Sequence, residues 1–204
     1  MRFDADAAVA HLRERDPKMR ELIERVGVFR MRLHRVATPF AALTESIIYQ
    51  QITGRAAETI AGRLRERLGD GRFPVPERVL EAPDTLLREV GLSRGKVAAL
   101  RDLAAKSLDG TVPGMTRLRA MEDEEIVERL MVVRGIGRWT AEMFLMFRLG
   151  RPDVLPIDDY GVRKGFKLAF ARREMPKPES VARRGERWRP YRTVASWYLW
   201  RALE

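Results

Sequence analysis

The chain has no cysteine among its 204 residues. Disulfides, thiolate zinc sites and cysteine-held iron–sulfur clusters are therefore excluded. Histidine is nearly as scarce. His11 and His34 are the only two, too few for a histidine-rich metal centre. No apolar run approaches the roughly 18 residues of a membrane span, and the opening "MRFDADAAVA" lacks the pattern of a secretory leader. No membrane association is expected, and a cytoplasmic, nucleoid-associated protein is. No convincing run alternates with period two through the body of the chain, so nothing points to a sheet.

What is present in excess is positive charge. The formal net charge is +10 and the isoelectric point is near 10.6. A folded chain this basic suits a polyanionic partner. An arginine-rich genome-wide composition gives the same balance, so charge alone decides nothing. The 45% hydrophobic content is enough for a real core.

Helical periodicity runs almost throughout, and the fold class read from it is all-α. A Thr38–Pro39 start opens a helix with Phe40, Leu43, Ile47 and Ile48 on one face. A turn falls near Gly54, and a second helix runs to Gly69. "GDGRFPVPERVLEAP" reads as a loop with at most a short helix. "DTLLREVG" and "SRGKVAALRDLAAKSLDG" are two more helices, and "MEDEEIVERLMVV" is another, with acids in its first turn. "EMPKPESVARRG" reads as a linker before a last helix carrying Trp197 to Trp200. Two helical lobes with a cleft between them are expected. One spans about 38–150 and includes the hairpin 124–150; the other combines about 1–37 with 151–204.

The stretch "VVRGIGRWTAEMF" joins two amphipathic helices through Gly135, Ile136 and Gly137. Glycines there allow a tight turn and the close approach of another molecule. The helix that follows points N–H groups and the positive end of its dipole outward, a geometry that suits a phosphate. The backbone N–H groups of Gly135, Gly137 and Thr140 are candidate donors, and Arg138 adds charge. An ordinary interhelical turn has the same two glycines.

The wider pattern "LMVVRGIGRWTAEMFLMF…DVLPIDDYGVRKGF" resembles the helix–hairpin–helix DNA glycosylase superfamily. Tryptophan directly after "GIGR", with "LPIDDYG" some twenty residues on, is most similar to its AlkA type, the DNA-3-methyladenine glycosylase II enzymes. "SIIYQQIT", "GLSRGKVAALRDLA" and "ERWRPYRTVASWYLW" resemble further family segments, and the resemblance covers roughly residues 35–202. Longer AlkA-type enzymes carry an N-terminal β-rich domain, so a short form is expected.

The resemblance implies base excision from damaged, double-stranded DNA in base excision repair, by flipping the base out of the stack. The family's catalytic aspartate matches Asp159. A carboxylate there would stabilise an oxocarbenium-like transition state. Local sequence alone does not separate Asp159 from Asp158, since either could be a helix cap; Asp158 takes a supporting role by the spacing from Trp139. Bifunctional members have a lysine directly after the hairpin, where this chain has Trp139. An indole cannot form a Schiff base, so a monofunctional enzyme is implied. Trp139 and Trp200 match aromatic walls of the base pocket, suited to cationic alkylpurines such as 3-methyladenine and 7-methylguanine. Met143 stands where the AlkA type has tyrosine. Gln51 matches the residue that fills the gap left by the flipped base, a leucine in the longer enzymes.

No cofactor is required by this chemistry. The family's hairpin often holds a monovalent cation, sodium or potassium, on backbone carbonyls, here those of Met131, Val133 and Ile136, with Arg134 where proline is common. Arg94, Lys96, Arg138, Arg163, Lys164 and Arg187 to Arg192 flank the expected site and could neutralise phosphates, at least half of them being ordinary solvated cations. Nothing suggests an oligomer, so a monomer is expected. Two alternatives stay open: a related glycosylase for deaminated, oxidised or mismatched bases, and a non-catalytic helix–hairpin–helix DNA-binding protein.

Overall fold

A computed structural model describes residues 3–34 and 37–204. Residues 1, 2, 35 and 36, including the expected start of the family resemblance at 35, lie outside the described residues. Among the described residues there is no strand, and the structure is all-α. Along the chain run α1 (Ala5–Arg15), α2 (Pro17–Val26), α3 (Pro39–Tyr49), α4 (Gly54–Leu68), α5 (Pro76–Glu81), α6 (Asp84–Glu89), α7 (Arg94–Leu108) and α8 (Met115–Ala120). Then come α9 (Asp123–Met131), α10 (Arg138–Phe144), α11 (Tyr160–Ala169), α12 (Pro178–Gly185) and α13 (Arg192–Arg201).

The helices form two compact units. One is Arg35–Phe144, the other Met1–His34 with Leu145–Glu204. The second boundary falls where α10 widens into a π-helical turn, Leu145–Leu149, rather than at Gly150.

Local chemistry starts most of these helices. Thr38 caps α3 by accepting the Ala41 N–H at 3.1 Å, with Pro39 at the first position, where its missing N–H costs nothing. Thr53 caps α4 and Ser93 caps α7 in the same way. Asp123, Glu124 and Glu125 fill the first turn of α9, at the positive end of its dipole.

In the unit Arg35–Phe144, α3 is buried nearly all round. Phe40, Leu43, Ile47 and Ile48 are joined inside by Ala41, Ala42 and Thr44. Helix α7 packs against both α3 and α5. In the other unit the core gathers Leu12, Met19, Leu22, Phe166, Trp188, Val194, Tyr198 and Leu199.

This second core is organised around a buried acid, Asp16, which is 0% exposed. Its carboxylate caps α2 through the Lys18 N–H at 3.1 Å. It also accepts from Arg184 at 2.6 and 2.7 Å and from the Trp188 indole N–H at 2.9 Å. Burial by itself would raise this carboxyl, but the Arg184 and Trp188 donors outweigh it and hold Asp16 below the usual aspartate value.

The segment read as a linker, 174–185, is not one. Its last eight residues form α12, with Pro178 at the first position and Val181 fully buried. Proline opens this helix instead of breaking one, and Arg184, near its end, reaches Asp16.

Candidate functional site

The candidate residues fall into two groups, one in each unit. The first surrounds the hairpin of α9 and α10. Gly135 has φ +79°, a left-handed conformation that favours glycine. The Gly137 carbonyl accepts the Ala141 N–H at 3.1 Å and so opens α10. In front of Gly137 a Cβ would meet nothing within 4 Å. A bare backbone thus faces open space at a helix start, where first-turn N–H groups, Thr140's among them, point back off the helix. The Thr140 side chain is buried, whereas Trp139 beside it is 49% exposed and Met143 is partly covered.

The turn is held from outside by contacts that local sequence does not reveal. The Arg134 N–H donates to the Asp102 carboxylate at 2.7 Å, and the Gln50 side-chain amide donates to the Gly135 carbonyl at 2.9 Å. Asp102 also pairs with Lys106 at 2.6 Å. Burial would raise Asp102, but the Arg134 N–H and Lys106 overcome it and its pKa lies below the usual value.

Gln50 ends α3, and Gln51 follows at φ +58° with its side chain exposed. The loop is clamped by Lys96, whose ammonium donates to the carbonyls of Ile48 at 2.6 Å and Gln50 at 2.9 Å. Burial lowers the Lys96 pKa. Lys96 is therefore committed to backbone carbonyls, which corrects its assignment as a phosphate-neutralising cation. The charge expected from Arg138 is likewise already balanced, by a two-pronged ion pair with Glu124. Arg138 as hydrogen-bond donor holds the Glu124 carboxyl below its ordinary value.

The second group is built on α11 and α13. Asp159 caps α11, its Oδ1 accepting the Val162 N–H at 2.7 Å. The same oxygen accepts the Trp200 indole N–H at 2.8 Å. The turn before it closes with the Asp159 N–H on the Pro156 carbonyl at 3.0 Å, leaving Asp158 exposed on that turn. So Asp159, not Asp158, is the cap of this helix.

Trp200 is seated by two neighbours. Phe147 stacks on it, centroids 5.9 Å apart and planes 24° apart. Opposite Gly161, a Cβ would stand 2.8 Å from Trp200 Cδ1 and 3.0 Å from its Nε1. A side chain at 161 would push the indole off the carboxylate. One turn on, a Cβ at Gly165 would lie 1.9 Å from the Leu199 carbonyl oxygen, so α11 and α13 touch backbone to backbone. The pair Gly161 and Gly165 sets how closely α13 brings Trp200 to Asp159. The other tryptophans are structural: Trp188 is fully buried, and Trp197 packs edge-on against Phe29 at 5.0 Å.

Several other flanking cations are also engaged. Arg192 and Arg189 pair with Asp153 at 2.7 and 2.6 Å. Arg163 donates to the Pro176 carbonyl at 3.0 Å, and Lys164 lies over the Tyr160 ring at 5.9 Å.

A glycine-turned helical hairpin and an acid capping a later helix are the features on which the resemblance to a base-excision family rests. The sequence bears this out: the chain belongs to the family described as HhH-GPD superfamily base excision DNA repair protein, which it matches over residues 44–190. That span contains the hairpin and Asp159 and stops short of Trp200.

Among individual proteins, the chain is similar to DNA-3-methyladenine glycosylase 1 of Schizosaccharomyces pombe. The two are 33% identical over 195 residues, covering 95% of this chain and 86% of that protein. The fold is similar to that of the S. pombe 3-methyladenine DNA glycosylase Mag1 in complex with abasic DNA, with a TM-score of 0.84 over 95% of each chain at 33% identity. It is also similar to the DNA-3-methyladenine glycosidase of Bacillus halodurans, with a TM-score of 0.89, 35% identity, and coverage of 99% of this chain and 92% of that one.

Proposed function

We propose that this chain is a monofunctional DNA glycosylase that hydrolyses the N-glycosidic bond of alkylated purines in base excision repair. The observation that carries the reading is the Asp159 carboxylate, fixed at the start of α11 by Val162 and the Trp200 indole, in a chain of this family. DNA-3-methyladenine glycosylases are the relatives that support the substrate class.

The chemistry follows from the groups present. The lesion is flipped out of the duplex. As the C1′–N bond breaks, its electron pair goes to the base, and a cationic alkylpurine leaves neutral. Positive charge builds on the sugar, and the Asp159 carboxylate stabilises it electrostatically. Water then adds to C1′ and gives up a proton, leaving an abasic site in an intact strand. Trp139 occupies the place where a lysine amine would allow strand cleavage. Its half-exposed indole offers a flat, electron-rich face to a cationic base. Gln51 fills the gap left in the stack.

On this reading a phosphate sits at the open backbone of Gly135, Gly137 and Thr140. A sodium or potassium ion would be held by the backbone carbonyls of Met131, Val133 and Ile136. Helix α9 ends at Met131 with its last carbonyls directed off the negative end of its dipole. The Val133 carbonyl accepts the Ile136 N–H at 3.0 Å, which leaves a second lone pair for an ion. Such an ion would brace the turn and take no part in bond cleavage. The substrate is double-stranded and the protein acts as a monomer.

The test uses end-labelled duplex DNA treated with a methylating agent. Breaks should appear only after hot alkali with the wild type and be lost with Asp159→Asn. Breaks without alkali would show lyase chemistry and overturn the role given to Trp139. Intact DNA binding with no release of any alkylated, deaminated or oxidised base would point to a non-catalytic binding protein.

A further inference from the structure

Residues 27–34, "GVFRMRLH", form neither helix nor sheet, yet their burial alternates. Met31 is buried and Phe29 and Leu33 are partly covered, while Arg30, Arg32 and His34 are exposed. That is the period of an extended chain, which places alternate side chains about 6.5 Å apart on one side. The outward residues line a groove of about 860 Å³, together with Arg25, Phe147 and Arg201.

The segment is anchored at its end by the His34 N–H, which donates to the Phe147 carbonyl at 2.9 Å. Phe147 is the ring that stacks on Trp200. The groove has one acid on its wall, Glu204, and that acid is paired with Arg201 at 2.6 Å. Elsewhere in this unit Arg13, Arg184, Arg189 and Arg192 are each neutralised by a carboxylate. Among the described residues Arg25, Arg30 and Arg32 have no acidic partner within 4 Å. Arg30 and Arg32, uncompensated on one side of the extended segment, join Arg25 from the end of α2 in a positive surface that suits a polyanion. The step from Arg30 to Arg32 is of the order of the spacing of successive phosphates along one nucleic-acid strand.

We propose that the 27–34 strip, with Arg25 at the end of α2, is a second DNA-binding surface, which takes a phosphodiester strand along Arg30 and Arg32 and past Arg25. It reads no sequence and acts on affinity instead of bond cleavage. It rests on the glycosylase reading only in the choice of DNA as the polyanion.

The test measures binding of the full chain to undamaged duplex DNA by fluorescence anisotropy across a salt series. It compares wild type with the double variants Arg30→Gln/Arg32→Gln and Arg30→Lys/Arg32→Lys. The Gln pair should bind about tenfold more weakly at low salt, and the slope of log K against log salt should fall by about two. The Lys pair should restore both. Release of 7-methylguanine by saturating enzyme should keep its wild-type rate in the Gln pair. Equal affinity and slope in wild type and the Gln pair would overturn the proposal. So would an equal loss in an Arg15→Gln/Arg63→Gln control, which would assign the effect to net charge. If the wild type released no base, the glycosylase reading would fail while the binding comparison still decided the strip.

Discussion

Replacing Trp200 with phenylalanine tests the link between α13 and the acid most directly. The substitution removes the indole N–H, which lies 2.8 Å from Asp159 Oδ1. It keeps a flat ring to stack on Phe147 and adds no atom near Gly161. The Val162 N–H at 2.7 Å still caps the helix, so the carboxylate loses one of two donors on the same oxygen. A hydrogen bond to a charged acceptor contributes about 1.5–3 kcal/mol. If that restraint is felt in the transition state, base release should slow by roughly 10- to 150-fold, at about 1.4 kcal/mol per tenfold. The assay is single-turnover release of 7-methylguanine from methylated duplex with saturating enzyme, alongside half-saturation by enzyme. The chemical rate should fall while half-saturation barely moves. Asp159→Asn, which loses the charge itself, should fall further. A Trp200→Phe rate within twofold of wild type would refute the idea that the indole positions the acid. A loss confined to half-saturation would make Trp200 a base-binding wall only.

Two further outcomes follow from the packing of the same unit. Gly165→Ala sets a methyl against the Leu199 carbonyl and should destabilise by about 3 kcal/mol, lowering the melting temperature by roughly 6–12 °C; an unchanged melt would show that the two helices can separate at no cost. Asp16→Asn removes the charge that Arg184 needs and should cost about 3 kcal/mol at neutral pH. Because the folded Asp16 pKa is depressed, its stabilisation is fully present above the unfolded value near 4 and is lost as pH falls through the lower folded value. The difference between wild type and variant in urea-unfolding free energy should therefore be flat from pH 7 to 5 and shrink below about pH 4. A difference independent of pH down to 2 would contradict this account.

How much of this was legible in the sequence depends on the distance over which each feature is set. The helix start at Thr38 follows from a short side chain bonding the backbone three residues on, and the hairpin is written in two glycines, Gly135 and Gly137, on either side of one isoleucine. The choice between Asp158 and Asp159 as cap was not legible, because both stand before the same helix and only the turn at Pro156 separates them. The Pro-rich segment before α12 misled, since proline at a helix's first position looks like proline in a linker. The remaining contacts join residues far apart in the chain. Asp16 meets Arg184 and Trp188, Gln50 meets Gly135, and Lys96 turns back to Ile48. No periodicity forecasts such pairs, and a lysine clamped on carbonyls has the same composition signature as one waiting for a phosphate.

Gln51 holds a left-handed backbone that glycine would occupy without strain, at a cost of about 1–2 kcal/mol for a residue with a Cβ. Its neighbours keep it there: Gln50 is tied to Gly135, and Lys96 grips the carbonyl just before it. This has a consequence for anyone evolving the protein. Selection for heat resistance alone should favour Gln51→Gly, which relaxes the loop while removing the side chain proposed to fill the emptied stack. Selection for repair should reject it. The most stable version of this chain and the most active one would then be different proteins.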